Sequence, residues 1–344
     1  MKEISKISPQ FSVVVPLYNK RPYIRRAVQS VLSQSLSDLE LIVVDDGSVD
    51  GGSGALADVD DERLRLIWQA NAGVGAARNR GVADAQAEWV AFLDADDFWL
   101  PEHLAEIAAI IARFPESGLV ATGYEEVLNP GDHVMFPVSG SSIRKVDYFK
   151  EASRRIGIVH TSSVAIRRIA MMEYGGFGKF KVGEDLECWA RLALHYPVAV
   201  SDRVTSAYVR GTGGAMEQLQ VSQRKSSASG RTYSLEGISP SVGMLCRALE
   251  NAPSLKANRS ITAYINSRVY SCIYSELYCG DVEEARRFVG LLIEPLSPKI
   301  AIIVAALSLP PSWVRRGLAL LRVSKKAVEA AAKFTVPNRS RQAR

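Results

Sequence analysis

Phe92-Leu93-Asp94-Ala95-Asp96-Asp97 decides how this chain is read. The apolar run Val90-Ala91-Phe92-Leu93 meets three carboxylates within four positions, and Phe98-Trp99-Leu100-Pro101 follow. A short apolar run of this kind reads as a buried strand, which puts the carboxylates at the C-terminal edge of a sheet. That is the edge at which open α/β sheets bind ligands. Carboxylates gathered there repel one another, and a divalent cation with oxygen ligands relieves the repulsion most simply. The alternative is a solvated acidic turn in which Asp97 caps a helix starting near Pro101. On this stretch alone both readings stand.

The same pattern recurs on the N-terminal side. Residues 11–17 (FSVVVPL) read as a strand ending at Tyr18-Asn19, and residues 39–44 (LELIVV) as a strand ending at Asp45-Asp46. Between them Ile24, Ala27, Val28, Val31 and Leu32 recur at helical spacing, with Pro22 in the first turn. A short helix at 52–57, a strand at 64–68, a helix ending near Asp84, a strand at 89–93, a helix at 101–113 and a strand at 119–122 continue the alternation. Strands alternating with helices imply crossover units and a mainly parallel sheet, so three polar clusters share one edge. After Tyr124 the pattern loosens. A hairpin or loop excursion at 128–140 precedes a helix at 146–155, a strand at 162–166, a Gly-rich turn at 175–178, an amphipathic helix at 184–195 and one or two strands at 198–208. Residues 211–230 read as a mobile loop, and 242–249, 261–278 and 282–291 as helices. The expected division is an α/β domain over 1–230 and a helical, basic extension over 231–344.

The net charge of +5 is unevenly placed. From Lys299 to Arg344 ten Lys/Arg face one acidic residue, Glu329, which leaves the first 298 residues at −4. This argues against a nucleic-acid-binding body and for a tail that meets an anionic partner such as a membrane surface. The apolar run at 300–309, halted by Pro310-Pro311, is too short to span a bilayer. Residues 313–332 mix Leu, Val and Trp with Arg and Lys as interfacial helices do, a buried helix pair being the alternative. Cys188, Cys246, Cys272 and Cys279 lack zinc-like spacing, and residues 1–10 lack an apolar leader, so the expected setting is cytoplasmic with the tail at the inner face of the cell membrane.

Four motifs occur in order: PLYN (16–19), VDDGSVD (44–50), NAGVGAARNRG (71–81) and FLDADD (92–97). Together they resemble the family-2 inverting glycosyltransferases of the GT-A fold, of the bacterial polysaccharide type, across roughly residues 11–200. The resemblance implies a GT-A sheet and transfer of a sugar from a UDP- or dTDP-linked donor to a hydroxyl of a saccharide or lipid-linked saccharide. It places Pro16, Tyr18, Asn19 and Asp46 in the nucleotide pocket. Asp46 would accept an N–H from a uracil or thymine edge. Gly73 would permit close backbone approach, and Arg78 would neutralise a phosphate or fix an aspartate. Asp94-Ala95-Asp96 resembles the family's DXD element, with Asp96 a direct ligand of Mg²⁺ or Mn²⁺ and Asp94 at the ribose or a metal-bound water. Gly183-Glu184-Asp185 resembles the family's ED motif, so Asp185, with Glu184 in reserve, would deprotonate the acceptor hydroxyl; the structural alternative is that both complement a helix dipole.

The histidine often found in the family near Tyr208-Val209-Arg210 is absent, with Arg210 as an electrostatic substitute. His160 could line an acceptor pocket and is not placed in the catalytic set, and Trp189 reads as core. Gly73-Val74-Gly75 is not a dinucleotide fingerprint, because it does not follow the first strand. A sugar-phosphate nucleotidyltransferase is disfavoured because PLYNKRPY lacks that class's Gly-rich loop. A non-catalytic nucleotide-sugar binding protein is disfavoured by the carboxylates at Asp94, Asp96 and Asp185.

Overall fold

The computed structural model describes residues 8–128, 142–155, 157–213, 238–279, 281–311 and 313–314. Strands β1 (Phe11–Leu17) and β2 (Leu39–Asp45) are buried at every position. Their mainly apolar sequences follow from that, since a parallel strand covered on both faces needs no polar side. The two interior exceptions, Ser12 and Glu40, hydrogen-bond each other at 2.6 Å. With β3 (Leu64–Trp68) and β4 (Trp89–Phe92) they pair in parallel: Phe11 stands opposite both Leu39 and Trp89, and Leu17 opposite Asp45. This register brings Tyr18-Asn19, Asp46 and the segment after Phe92 out at one edge.

Past β4 the sheet changes character. Numbered along the chain, β5 is Phe98–Trp99, β6 Leu119–Val127, β7 Ile143–Val146, β8 Val164–Arg167 and β9 Val198–Val209. The order is β3-β2-β1-β4-β8-β6-β9-β5, with β7 also on β9. Antiparallel β8 separates β4 from β6, and β6 runs parallel to β9. The parallel character expected of the sheet thus belongs to its N-terminal half, and the other half is mixed. Residues 198–209 form one strand, long enough to pair with β6, β7 and β5 in turn.

The period-2 alternation of the strands divides the core. Val13, Val15, Leu17, Leu41 and Val43 face α1 (Arg21–Leu32) and α3 (His103–Arg113), separated in the chain by α2 (Val74–Asp84). Val14, Ile42, Val44, Val90 and Phe92 face α2, then α4 (Tyr148–Arg154), α5 (Arg168–Tyr174) and α6 (Glu184–Ala193). The C-terminal helices α7 (Pro240–Asn251), α8 (Arg259–Cys279), α9 (Val282–Val289) and α10 (Pro298–Leu307) extend this second core. Tyr264 of α8 is fully buried, lies 5.7 Å from the Phe149 ring and donates its hydroxyl to Ser241 Oγ at 3.0 Å. The helical extension therefore shares one apolar core with the sheet. The expectations for 129–140, 214–230 and 315–332, and the boundary at 230, fall outside the described residues.

Candidate active site

The loops after β1 and β2 are laced together by short polar side chains. Asn19, at φ 50°, accepts the Val49 N–H at 2.9 Å and donates its own N–H to Ser48 Oγ at 3.1 Å. Asp45 accepts the Ser48 N–H at 2.8 Å, and Asp50 accepts the N–H groups of Arg21 and Gly52 at 2.8 and 2.9 Å. Pro16 is buried in β1 opposite Val44, while the Tyr18 ring is half exposed at the rim. Asp46 is buried, and its carboxylate accepts from Gln69 Nε2 at 2.7 Å and from the Ala72 and Gly73 N–H groups at 2.9 and 2.8 Å. It thereby fixes the segment that leads into α2. Gly73 enters the helix at φ 93°, a left-handed value that glycine adopts without the cost a Cβ would bring.

Three further residues of the third motif each have a separate contact. A Cβ on Gly81 would stand 2.3 Å from Val14 Cγ1, so the bare glycine sets how closely α2 approaches β1. Asn79 clamps a loop from the other end of the domain, accepting the Phe177 N–H at 2.8 Å and donating to the Phe177 carbonyl at 2.9 Å. Arg78 is buried and bridges the two ends of the site. Its Nη2 pairs with Asp94 Oδ1 at 2.7 Å and its Nη1 with Glu184 Oε1 at 2.9 Å, while its guanidinium lies over the Phe177 ring. Burial penalises its charge, but Asp94 and Glu184 outweigh that and hold it firmly protonated.

The three acidic residues that opened the sequence reading part company here. Burial pushes Asp94 upward, and the Arg78 guanidinium more than reverses this, so the carboxyl lies below its ordinary range. Asp96 Oδ2 pairs with Lys20 Nζ at 2.7 Å and accepts from Thr212 Oγ1 at 2.5 Å, and Arg26 holds the Asp96 carbonyl at 2.7 Å. Asp97, expected to cap the next helix, does not do so. Helix α3 begins at His103 without a side-chain cap. Instead Asp97 is buried between Ser162 Oγ, 2.5 Å away, and the Val209 N–H, 2.8 Å away. Burial, reinforced by Asp94 and Asp96, pushes its carboxyl well above the ordinary range.

Facing this loop, the short 3₁₀ turn Thr161–Ser163 and the start of α6 supply the other wall. Gly183 at φ 82° turns the chain so that Glu184 is buried against Arg78 while Asp185 stays partly open. Burial raises the Glu184 carboxyl, with Arg78 opposing and Asp185 adding to the rise. Asp185 Oδ2 meets the Thr161 hydroxyl at 3.5 Å, its Oδ1 takes the Leu186 N–H at 2.7 Å, and among the described residues no Lys or Arg forms an ion pair with it. His160 sits between the rings of Tyr124 and Tyr208 at 4.7 and 4.5 Å, and burial lowers its pKa against the pull of Asp94 and Asp185. Trp189 is fully buried, and Arg210 pairs with Glu126 at 3.4 Å and lies over Tyr208.

The structure thus gathers Asp94, Asp96, Arg78, Glu184 and Asp185 at one edge, with Asp46 and Gly73 at its flank. Sequence reasoning missed Lys20, Asn79, Ser162 and Thr212. Two of them left a signal: Asn79 lies inside the third motif, and Lys20 is the N-cap residue of α1, where the helix dipole disfavours a cation. Among the described residues no group of three or more His, Cys, Asp or Glu could hold a metal ion by itself. A hard divalent cation is often held by one or two carboxylates plus substrate phosphate oxygens, and Asp96 fits that one-carboxylate role.

Residues 12–175 match the family model described as glycosyl transferase family 2. An uncharacterized glycosyltransferase of Nostoc sp. is 42% identical over 104 residues, 29% of this chain and 32% of the relative. The succinoglycan biosynthesis protein ExoW of Rhizobium meliloti is 41% identical over 111 residues, 30% of this chain and 35% of the relative. The chain spans about a third of the length of these curated relatives. The crystal structure of S. aureus TarS 1–349 in complex with UDP-GlcNAc superposes with a TM-score of 0.64 at 19% identity, covering 92% of both chains, which shows a shared fold.

Proposed function

From the match of residues 12–175 to glycosyl transferase family 2, we propose that this protein moves a sugar from a UDP- or dTDP-sugar to a hydroxyl of a saccharide or lipid-linked saccharide, with inversion. The observation that carries this reading is the Arg78 bridge, which ties Asp94 on the donor-side loop to Glu184 beside Asp185. One buried guanidinium thereby sets the distance between a diphosphate-binding edge and a carboxylate without a cationic partner.

In this reading Tyr18, Asn19 and Asp46 border the nucleoside, and Gly73 lets the backbone approach it. Asp96 holds Mg²⁺ or Mn²⁺, and Asp94 uses the oxygen not engaged by Arg78 for a ribose hydroxyl or a metal-bound water. The cation supplies charge neutralisation for the departing nucleoside diphosphate. Asp185 is the base: Glu184 is engaged by Arg78, whereas Asp185 is free of ion pairing among the described residues and starts a helix next to the Thr161 hydroxyl. It takes the proton from the acceptor hydroxyl as that oxygen attacks the anomeric carbon on the face opposite the leaving diphosphate, and the C–O bond to the diphosphate breaks.

Cell-surface polysaccharide synthesis is the proposed setting, in line with the succinoglycan biosynthesis for which the Rhizobium relative is named. For the tail, α10 leaves Ile302 exposed, and Leu309 and Trp313 follow it into solvent just before the basic run. This supports attachment to an anionic membrane surface; no helix among the described residues is long and apolar enough to cross a membrane. Co-sedimentation with anionic liposomes should be lost on removing residues 299–344, and equal binding by both forms would discard the anchor. For the donor, a thermal-shift panel of nucleotide sugars with Mn²⁺ or EDTA should show uridine or thymidine diphosphates raising Tm only with Mn²⁺. A panel in which no nucleotide moves Tm would overturn the reading.

A further inference from the structure

The Asp96 carboxylate is held by a clasp of this chain's own residues. Lys20 Nζ lies 2.7 Å from Asp96 Oδ2, and the same ammonium donates to the Thr212 carbonyl at 2.9 Å and contacts Thr212 Oγ1 at 3.3 Å. Thr212 Oγ1 closes the triangle by donating to Asp96 Oδ2 at 2.5 Å. Both charged side chains are about five-sixths covered, 16% and 15% exposed, so solvent screens the pair only weakly. The arrangement joins the β1–α1 loop, the β4 loop and the segment after β9 at a single oxygen.

Lys20 is placed where it would otherwise be disfavoured. It is the N-cap residue of α1, at the positive end of that helix, and its side chain makes no capping hydrogen bond there. The backbone N–H groups of that helix end are already engaged, Arg21 by Asp50 and Tyr23 and Ile24 by the Lys20 carbonyl, so an incoming anion would meet the Lys20 ammonium rather than bare amides. An ammonium on a flexible four-carbon stem, unlike a guanidinium, moves between point contacts at little geometric cost. Lys20 and Thr212 together take both lone pairs of Asp96 Oδ2, and an ammonium beside a divalent cation on one carboxylate would be repelled by it, so metal binding at that oxygen displaces this clasp.

We propose that Lys20 is an exchangeable internal cation: it neutralises Asp96 and occupies its oxygen while the donor is absent, and passes to an oxygen of the donor diphosphate when a divalent metal takes Asp96. This rests on the reading of Asp96 as metal ligand. Lys20 then has two opposite effects. It competes with metal binding by the free protein, and it supports binding of the metal–diphosphate pair. No covalent step is involved; one ion pair is traded for two charge-assisted contacts. Thr212 has only the first effect, since its hydroxyl holds Asp96 and carries no charge for a phosphate.

The test uses the full chain, Mn²⁺ followed by electron paramagnetic resonance, and UDP followed by calorimetry with Mn²⁺ present. Lys20→Met should bind Mn²⁺ alone about tenfold more tightly than the unaltered protein, and bind UDP with Mn²⁺ about tenfold more weakly. Thr212→Val should tighten Mn²⁺ binding while leaving UDP affinity within about twofold. A weakened affinity for both probes in Lys20→Met, or no change in either, overturns the exchange. Asp96→Asn separates the two readings. If it loses Mn²⁺-dependent UDP binding while Lys20→Met and Thr212→Val match the unaltered protein, only the Lys20 exchange fails. If Asp96→Asn also binds normally, the assignment of Asp96 fails and the exchange with it.

Discussion

Replacing Arg78 by Met removes the cation that two carboxylates share. Arg78 and Glu184 are 4% and 9% exposed at the side chain, whereas Asp94 is 27% exposed. Breaking a buried pair from one side costs about 3–5 kcal/mol, because the remaining charge is left without a partner. The Glu184 contact carries the larger share of that range, and partial solvent access discounts the Asp94 contact. The expected loss is therefore about 3 kcal/mol at pH 7, a large part of the 5–15 kcal/mol typical of a folded domain. Arg78→Lys provides one point charge in place of a fork and should lose an intermediate amount, about 1–3 kcal/mol. The pH dependence has a fixed sign. Asp94 sits below its ordinary pKa because of Arg78, so its contribution is present above the unfolded carboxylate value and fades as pH falls through the folded value. In Arg78→Met burial acts on the Asp94 and Glu184 carboxyls without the opposing guanidinium, so both take up protons as pH falls. The deficit should therefore be largest at neutral pH and shrink toward pH 4. Urea unfolding followed by circular dichroism at pH 7 and 4 measures both quantities. A deficit under about 0.5 kcal/mol, or one that grows on acidification, would refute the bridge as a stabilising element.

Three further substitutions probe separate contacts. Gly81→Ala should destabilise by about 1–3 kcal/mol through overpacking against Val14 Cγ1, although a helix-interior alanine alone would stabilise; a raised melting temperature would contradict the close approach. Asp97→Asn keeps a group able to meet Ser162 and Val209 without a charge to bury. Because the folded protein raises the Asp97 pKa, its stabilising contribution is complete below the unfolded value of about 3.9 and fades as pH rises through the folded one. The variant should therefore gain on the unaltered protein between pH 4 and 8 in urea midpoints, and a pH-independent difference would count against a buried carboxylic acid. Asn79→Ala leaves the Phe177 N–H and carbonyl without their partner, at a cost of about 1–3 kcal/mol, and should speed hydrogen exchange at Phe177; unchanged protection there would show that the clamp is dispensable.

The parallel half of the sheet was legible because β1, β2 and β4 are buried on both faces. They therefore appear as runs that end in polar residues and are otherwise apolar apart from Ser12 and Glu40, which hydrogen-bond each other. Helix α5 (Arg168–Tyr174) was not read: it starts directly after β8, has no side-chain cap hydrogen bond, and buries only Ala170 and Met171. The two-residue β5 and four-residue β7 are strands only by virtue of pairing with β9. At the site the motifs named residues but not their relations. Arg78 reaches Glu184 across 106 positions, a link that only the fold makes. Asp97 followed a local capping pattern, yet Ser162 and the Val209 N–H, 65 and 112 positions away, took its oxygens. Asp46 shows the converse. Its motif pointed outward to a ligand, and the structure has it also fastening Gln69, Ala72 and Gly73.

Division of labour between the donor edge and Asp185 is tested most directly by Asp185→Asn. With Mn²⁺ and the nucleotide sugar that stabilises the protein best, the rate of acceptor-dependent nucleoside diphosphate release should fall about 10²–10⁴-fold, the usual contribution of general base catalysis. The affinity for the nucleoside diphosphate should stay within about twofold, because the proposed donor contacts lie on the Asp94–Asp97 loop and Asp185 stands on α6. Undiminished release, or loss of nucleotide binding in parallel with the rate, would contradict Asp185 as the base.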